Sequence, residues 1–368
     1  MRWIIAAGFL LHGILHVLGF AGAFRLIDAA PLHVSRLSGL MWLAAAILLA
    51  GTATLVIARW PWWFTVGAAG LLLSQVLIVR TWNEAWAGTV PNLLLLLVVL
   101  IAWAMDGPGS LHSRFAQDVA RYTSAPGLQS RLGPVTEQDL APLPPPVQRY
   151  LRAAGVVGRP HPYAYQLTMS GRIRGGPDEP WMPFRAEQLS TTTDPVRLFY
   201  MRAHRGGVPV AVLHRYVSGR ATMTVKLAGL FTLVDAQGPV MDRSETVTVF
   251  NDMCLLAPAT LLDPRVRWRE RGDQMVDATF SAGGQTVSAT LTFDEQGLLV
   301  NFLSLDRARA SADGRSFTPL PFLTPVRTRA AFAGNLLAGQ ADAQWRLPDV
   351  QVFTYAEFTL ESAVFNRP

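Results

Sequence analysis

Four apolar stretches, Trp3 to Phe24, Leu37 to Ala58, Trp62 to Val79 and Val90 to Met105, occupy most of the first 105 residues of this chain. About 20 helical residues cross the roughly 30 Å of bilayer hydrocarbon, and in lipid the backbone's polar groups must bond within the segment. The stretches are therefore predicted to be four transmembrane helices. The first follows a single charge, Arg2, and exceeds a signal-peptide core, so it is read as retained. Tryptophans at 3, 42, 60, 62, 63, 82, 86 and 103 lie mostly near the span ends, where amphipathic rings belong. Arg2, Arg59, Arg114 and Arg121 flank one side and Arg25, Arg36 and Arg80 the other, close to a tie with a slight lean of the soluble part toward the cytoplasm. The expected location is a bacterial cytoplasmic (inner) membrane, multi-pass.

Inside the first span, "GFLLHGILHVLGF" sets His12 and His16 four apart, on one helix face. Two imidazoles at that spacing can share a metal, but the other spans offer no His, Cys or Asp, and no facing histidine is present for haem. Two readings remain. The rings bond across helices to Ser74, Gln75, Glu84 or Asn92 and fix the packing, or His12, His16 and Glu84 form an intramembrane polar site for protons or a quinone-type molecule.

Beyond the "MDGPGS" break at 105–110, apolar and polar residues alternate as in a water-soluble domain. The single cysteine, Cys254, excludes internal disulfides. The net charge of +6 contains no basic run, and every basic residue but Lys226 is arginine, which argues against nucleic acid as a partner. Residues 111–122 form an amphipathic helix, at the membrane surface or capping the soluble domain. Thr136 caps a short turn over 137–140, and Pro146 opens a helix ending at Gly155. From about 163 the period changes to two: "YAYQLTMSGRIR", "VRLFYMRAH", "VAVLHRYVSG" and "QTVSATLTFDEQG" are among eight or more antiparallel strands, with "DEQG" and "SAGG" as hairpin turns. One helix interrupts them over 244–263, capped by Ser244, broken at Pro258, and carrying Val247, Phe250, Cys254 and Leu255 on one face.

The predicted fold class is a membrane α-helical bundle of four transmembrane helices plus a mainly antiparallel β soluble domain, a half-barrel or curved sheet with one inserted helix. The expected domains are a transmembrane bundle over 1–105, a linker with short helices over 106–160, and a β-rich domain over 161–368.

The segments "LPPPVQRYLRAAG", "ETVTVFNDMCLLAPATLLDPRVRW", "ATLTFDEQGLLVNF" and "AQWRLPDVQVFTYAEFTL" resemble the bacterial DUF6544 family of unknown function over roughly 130–368. The resemblance implies architecture and no catalytic residues. The β-rich shape is similar, by fold analogy only, to half-barrel lipoprotein carriers of the LolA and LppX kind.

No G-x-S-x-G elbow, HExxH, P-loop or GxGxxG occurs. The remaining constellation is Glu245, Asn251, Asp252 and Cys254 on the inserted helix, facing His204, His214, Arg185 and Glu187 on strands. Ligand contact is expected from Asn251, Asp252, Cys254, His214 and Glu245, and the intramembrane polar site from His12, His16, Gln75 and Glu84. The expected partners are the lipid bilayer and a lipid or other hydrophobic ligand, with no cofactor and no metal. Two alternatives stand beside a binding protein. One is a membrane-associated enzyme using Asp252 with Cys254 or His214, and the other is a sensory or protein-interaction module.

Overall fold

The computed structural model describes residues 2–27, 34–124, 133–348 and 351–366. The chain divides into two compact units, 1–113 and 114–368.

In the first unit, α1 (Arg2–Ala23), α2 (Arg36–Ile57), α3 (Trp63–Arg80) and α5 (Thr89–Asp106) follow the four apolar stretches, with the one-turn α4 (Trp82–Ala85) between the last two. Each of the four is long and apolar enough to cross a membrane, as in a multi-pass membrane protein. Leu11, Leu72, Leu94 and many other large apolar side chains remain exposed, the surface that a lipid solvent requires. Small residues let α1 and α2 approach closely. A Cβ on Gly13 would meet the Ala46 carbonyl oxygen at 3.1 Å, and one on Gly19 would meet the Trp42 ring at 2.4 Å.

The second unit begins within α6 (Leu111–Thr123), whose Phe115 stacks on Tyr200 and whose Asp118 pairs with Arg215 at 2.6 Å. That side of the amphipathic helix is thus spent on protein, the capping alternative. A capping box between Thr136 and Asp139 starts α7 (Glu137–Leu140), and α8 (Pro145–Ala153) opens one residue earlier than expected, at Pro145.

The strands are β1 (Ala164–Ile173), β2 (Met182–Thr191), β3 (Val196–Arg205), β4 (Val208–Val217), β5 (Arg220–Leu227), β6 (Phe231–Gln237), β7 (Val266–Glu270) and β8 (Met275–Ala282). They continue as β9 (Gln285–Phe293), β10 (Leu299–Ser304), β11 (Ala308–Ala310), β12 (Phe317–Pro319), β13 (Phe322–Leu323), β14 (Val326–Phe332), β15 (Asn335–Arg346) and β16 (Val352–Phe365). Fourteen of them form one antiparallel sheet in the order β6-β5-β4-β3-β2-β1-β16-β15-β13-β10-β9-β8-β7, with β14 on β15. The two ends do not pair, so the sheet curls into an open half-barrel. The turns at 294–297 and 281–284 connect the neighbours β9–β10 and β8–β9. Strands β11 and β12 form a separate hairpin.

The helix on the concave side is α9 (Pro239–Leu256). It begins five residues before the position expected from Ser244 and ends two residues before Pro258, which opens a 3-10 turn to Leu262. The sequence signal was misplaced because the start is a Gly–Pro pair: Gly238 takes φ 107°, a conformation glycine adopts readily, and Pro239 has no N–H to leave unpaired. Asp242, in the first turn, accepts the Ala221 N–H at 2.6 Å and so ties the helix to β5. Ser244 lies inside the helix and accepts the Ala308 N–H at 3.1 Å. The β-branched run from Thr246 to Val249 disfavours helix intrinsically, and Thr246 and Thr248 bond back to the carbonyls of Asp242 and Ser244. Packing outweighs propensity, because the helix is buried on nearly every side between the two halves of the sheet.

Phe250 anchors that packing, fully buried with its ring 5.5 Å from Phe280 and 5.6 Å from Phe302. Phe250→Ala is expected to destabilise the soluble unit by about 3–5 kcal/mol, read as a lowered denaturation midpoint of the full chain in mild detergent.

Candidate functional site

Between α9 and the concave face of the sheet lies a cavity of about 790 Å³. Strand alternation builds its floor. On β3, Arg197, Phe199 and Met201 point to the concave side. The register sets Ser190 opposite Arg197, and Gln188 and His214 on either side of Phe199. From α9, Glu245, Thr248, Asp252 and Leu255, at spacings of three and four, present one face to the same space. The walls are apolar, with Met169, Met201, Met223, Leu256, Phe358 and Leu360 among them.

The floor is a closed set of buried charges. Arg197 donates from Nε to Asp252 at 2.6 Å, from Nη1 to Glu245 at 3.3 Å and from Nη2 to Gln188 Oε1 at 3.1 Å. Its guanidinium also stacks 4.9 Å from the Phe199 ring centre. Gln188 Nε2 donates to Asp252 at 2.8 Å and to Ser190 at 3.0 Å. His214 Nδ1 lies 3.4 Å from Glu245 Oε1, and Asn251 donates to Thr324. Burial opposes charge on Arg197, but Asp252 and then Glu245 outweigh it and raise its pKa. Burial likewise opposes the Glu245 carboxylate, yet His214, followed by Arg197 and Arg307, draws it down to about 2. Removing one partner from such a set strands a charge in low dielectric, which costs far more than the assembled set contributes.

His214, Glu245, Asn251 and Asp252 therefore meet at one cavity, and Cys254 does not. Its side chain is fully buried in the hydrophobic core, and its carbonyl accepts the Tyr150 hydroxyl at 2.6 Å. Burial and then the Asp252 charge push the thiol well above its usual range, the reverse of an activated nucleophile. On α9 a two-residue step from Asp252 turns a side chain to another face of the helix, and that places Cys254 in the core. Three strand residues are corrected for a similar reason. Arg185, Glu187 and His204 lie exposed, alternating with residues such as Ala186 and Ala203 that point inward. The residues missed were Arg197 and Gln188. The signal for Arg197 was present in "VRLFYM", where a lone arginine alternates inward with Phe199 and Met201.

The intramembrane histidines form a second polar set, within the first unit. His12 Nε2 lies 2.7 Å from Asn92 Oδ1, and His16 Nε2 lies 2.8 Å from Ser74 Oγ. His16 Nδ1 faces the His12 carbonyl at 2.9 Å, which assigns the ring proton there and leaves Nε2 to accept the Ser74 hydroxyl. Asn92 Nδ2 donates to Gln75, and Gln75 donates to Thr89. Glu84 is not in this set; it is exposed in α4. The polar chain ties α1, α3 and α5 together, which is the packing role of such bonds in lipid.

A family model described as "Family of unknown function (DUF6544)" matches residues 133–358. The chain belongs to the DUF6544 family. Its match covers α7, α8, α9 and the sheet as far as the middle of β16, and so includes the whole cavity floor. Among curated proteins none matches the chain. Several solved structures are similar, two of them as follows. One is a domain from Vibrio parahaemolyticus, described as that of an outer membrane lipoprotein-sorting protein, with 10% identity over 55% of this chain and 85% of that one and a TM-score of 0.32. The other is a DUF1329 family protein from Desulfovibrio piger ATCC 29098, with 10% identity over 60% of this chain and 92% of that one and a TM-score of 0.33. At those scores neither likeness bears on how this DUF6544 member works.

Two outcomes are expected. Glu245 has a folded pKa of about 2 against 4.5 ordinarily, so its contribution is complete above pH 4.5 and is lost as pH falls toward 2. The stability gap between the wild type and Glu245→Gln, from denaturant titrations, should therefore narrow over that window. Cys254 should react with a thiol reagent at mildly alkaline pH only after denaturation, and labelling of the native protein at a free-thiol rate would contradict its placement.

Proposed function

We propose that this DUF6544 protein is a membrane-anchored binding protein that holds an apolar or lipid-like ligand in its half-barrel, without chemistry of its own. The observation that carries this reading is the cavity. Protein interiors close-pack to leave few voids larger than a water molecule, whereas about 790 Å³ stays open beneath α9. That volume falls within the roughly 300–1,000 Å³ of small-molecule sites. Four methionines lining the cavity, Met169, Met201, Met223 and Met241, supply flexible, polarizable surface suited to a chain-like ligand of variable shape. At the floor, His214, Glu245, Asn251 and Asp252 would meet the ligand's inner end, while Arg197 keeps the carboxylates compensated.

Attachment to four membrane helices keeps the cavity within reach of a bilayer and raises the local concentration of anything that partitions there. The reading takes 1–105 as the anchor, 106–160 as the connection and 161–368 as the binding domain, in a bacterial cytoplasmic membrane.

The test is uptake of a hydrophobic naphthylamine dye by the full chain in mild detergent, with mass spectrometry of co-purifying lipids. Wild type should take up the dye saturably, and Ala341→Trp, which fills the cavity from β15, should weaken uptake by about tenfold. Absence of both dye uptake and bound lipid in the wild type would sink the proposal.

A further inference from the structure

We propose that the ligand is an anionic amphiphile, its acidic head received by Arg174, Arg307 and Arg309 at the cavity rim and its tail laid along the methionine walls. This rests on the binding reading above. All three arginines line the cavity and are half-buried. They sit beside exposed lining residues of the β1–β2 and β11–β12 connections, among them Gly175 and Ala312, which mark the opening.

Among the described residues none of the three is paired with a carboxylate, although Arg197, Arg215, Arg243, Arg265 and Arg329 of the same unit each are. The rim arginines are held by neutral groups instead. Arg174 donates to the carbonyls of Thr354 and Pro177 and lies 4.5 Å from the Trp181 ring centre. Arg307 donates to the Tyr355 hydroxyl at 3.1 Å and covers Phe322 at 4.1 Å. Arg309 donates to the Gly175 carbonyl at 2.8 Å and lies 5.3 Å from Phe353. A guanidinium carries five N–H donors, so these few bonds orient each fork and leave most of its donors free, with Arg307 acting on Glu245 and Arg174 on Glu357 only from beyond ion-pair distance.

The acids at the same opening do not cancel them. Asp342 is paired with Arg327 at 3.0 Å, Glu245 makes its ion pairs with Arg197 and His214 and feels Arg307 only at longer range, and Glu179, which also lines the opening, is exposed, where solvent screens its charge. The hairpin that carries Arg309 is also fixed at its far end. Gly314 packs so closely on β6 that a Cβ there would stand 2.4 Å from Val234 Cγ1, and the hairpin thereby crosses from the β10 half of the sheet to its opposite edge. Three oriented guanidinium groups outside any ion pair, above an apolar space, suit a carboxylate or phosphate on an alkyl chain.

The experiment measures displacement of the naphthylamine dye from the full chain by hexadecanoate, hexadecyl phosphate, hexadecanol and hexadecylamine, which share one tail. At least one anion should bind about tenfold or more tightly than hexadecanol. A preference for the carboxylate points to free fatty acids as the source, and one for the phosphate points to phosphorylated lipids. The double substitution Arg307→Gln with Arg309→Gln should abolish the preference while leaving hexadecanol affinity in place. Equal binding of anions and alcohol by the wild type, or tighter binding of the amine, overturns the head-group assignment and leaves the binding reading standing. Failure of all four, with no dye uptake, removes both.

Discussion

The soluble unit depends on one ionic junction, Arg197 of β3 reaching Asp252 and Glu245 of α9. Without it the helix would carry two buried carboxylates, and the sheet a buried guanidinium, with no partner of opposite charge in place. Each cost is prohibitive alone, and the three become compatible only together. The junction joins α9 to β3 at the floor of the cavity. Phe250 and its aromatic neighbours secure the other side of the same helix, so α9 is clamped between an apolar face and a charged one.

Two kinds of arginine follow from this arrangement. Arg197 is buried and matched, and it serves the architecture. Arg174, Arg307 and Arg309 are half-buried, oriented by carbonyls, a hydroxyl and rings, and outside any ion pair, which leaves donors available at the opening. The intramembrane histidines resemble Arg197 in that respect. Their ring nitrogens meet Asn92 and Ser74 in a chain of bonds that holds helices together in a solvent with no hydrophobic effect of its own.

Much of this was legible in the sequence. The four spans could be placed because lipid admits few alternatives to a helix about 20 residues long. The sheet showed itself through period two and its Gly-rich turns. The helix start at Pro239 was missed because local signals for a turn and for a helix entry coincide at Gly238–Pro239.

By itself, then, the sequence determined which segments cross lipid, which alternate as strands, and that one helix interrupts them, since these follow from periodicity and from the solvent each segment tolerates. Only the tertiary structure decided that Arg197 faces Asp252, that Cys254 turns into the core, that Glu84 stands apart from the histidines, and that a cavity remains. Those outcomes depend on register and on helix rotation, where a shift of one residue exchanges the inner face for the outer. Contacts between residues far apart in the chain, 55 positions for Arg197 with Asp252 and 104 for Tyr150 with Cys254, accompany that rotation.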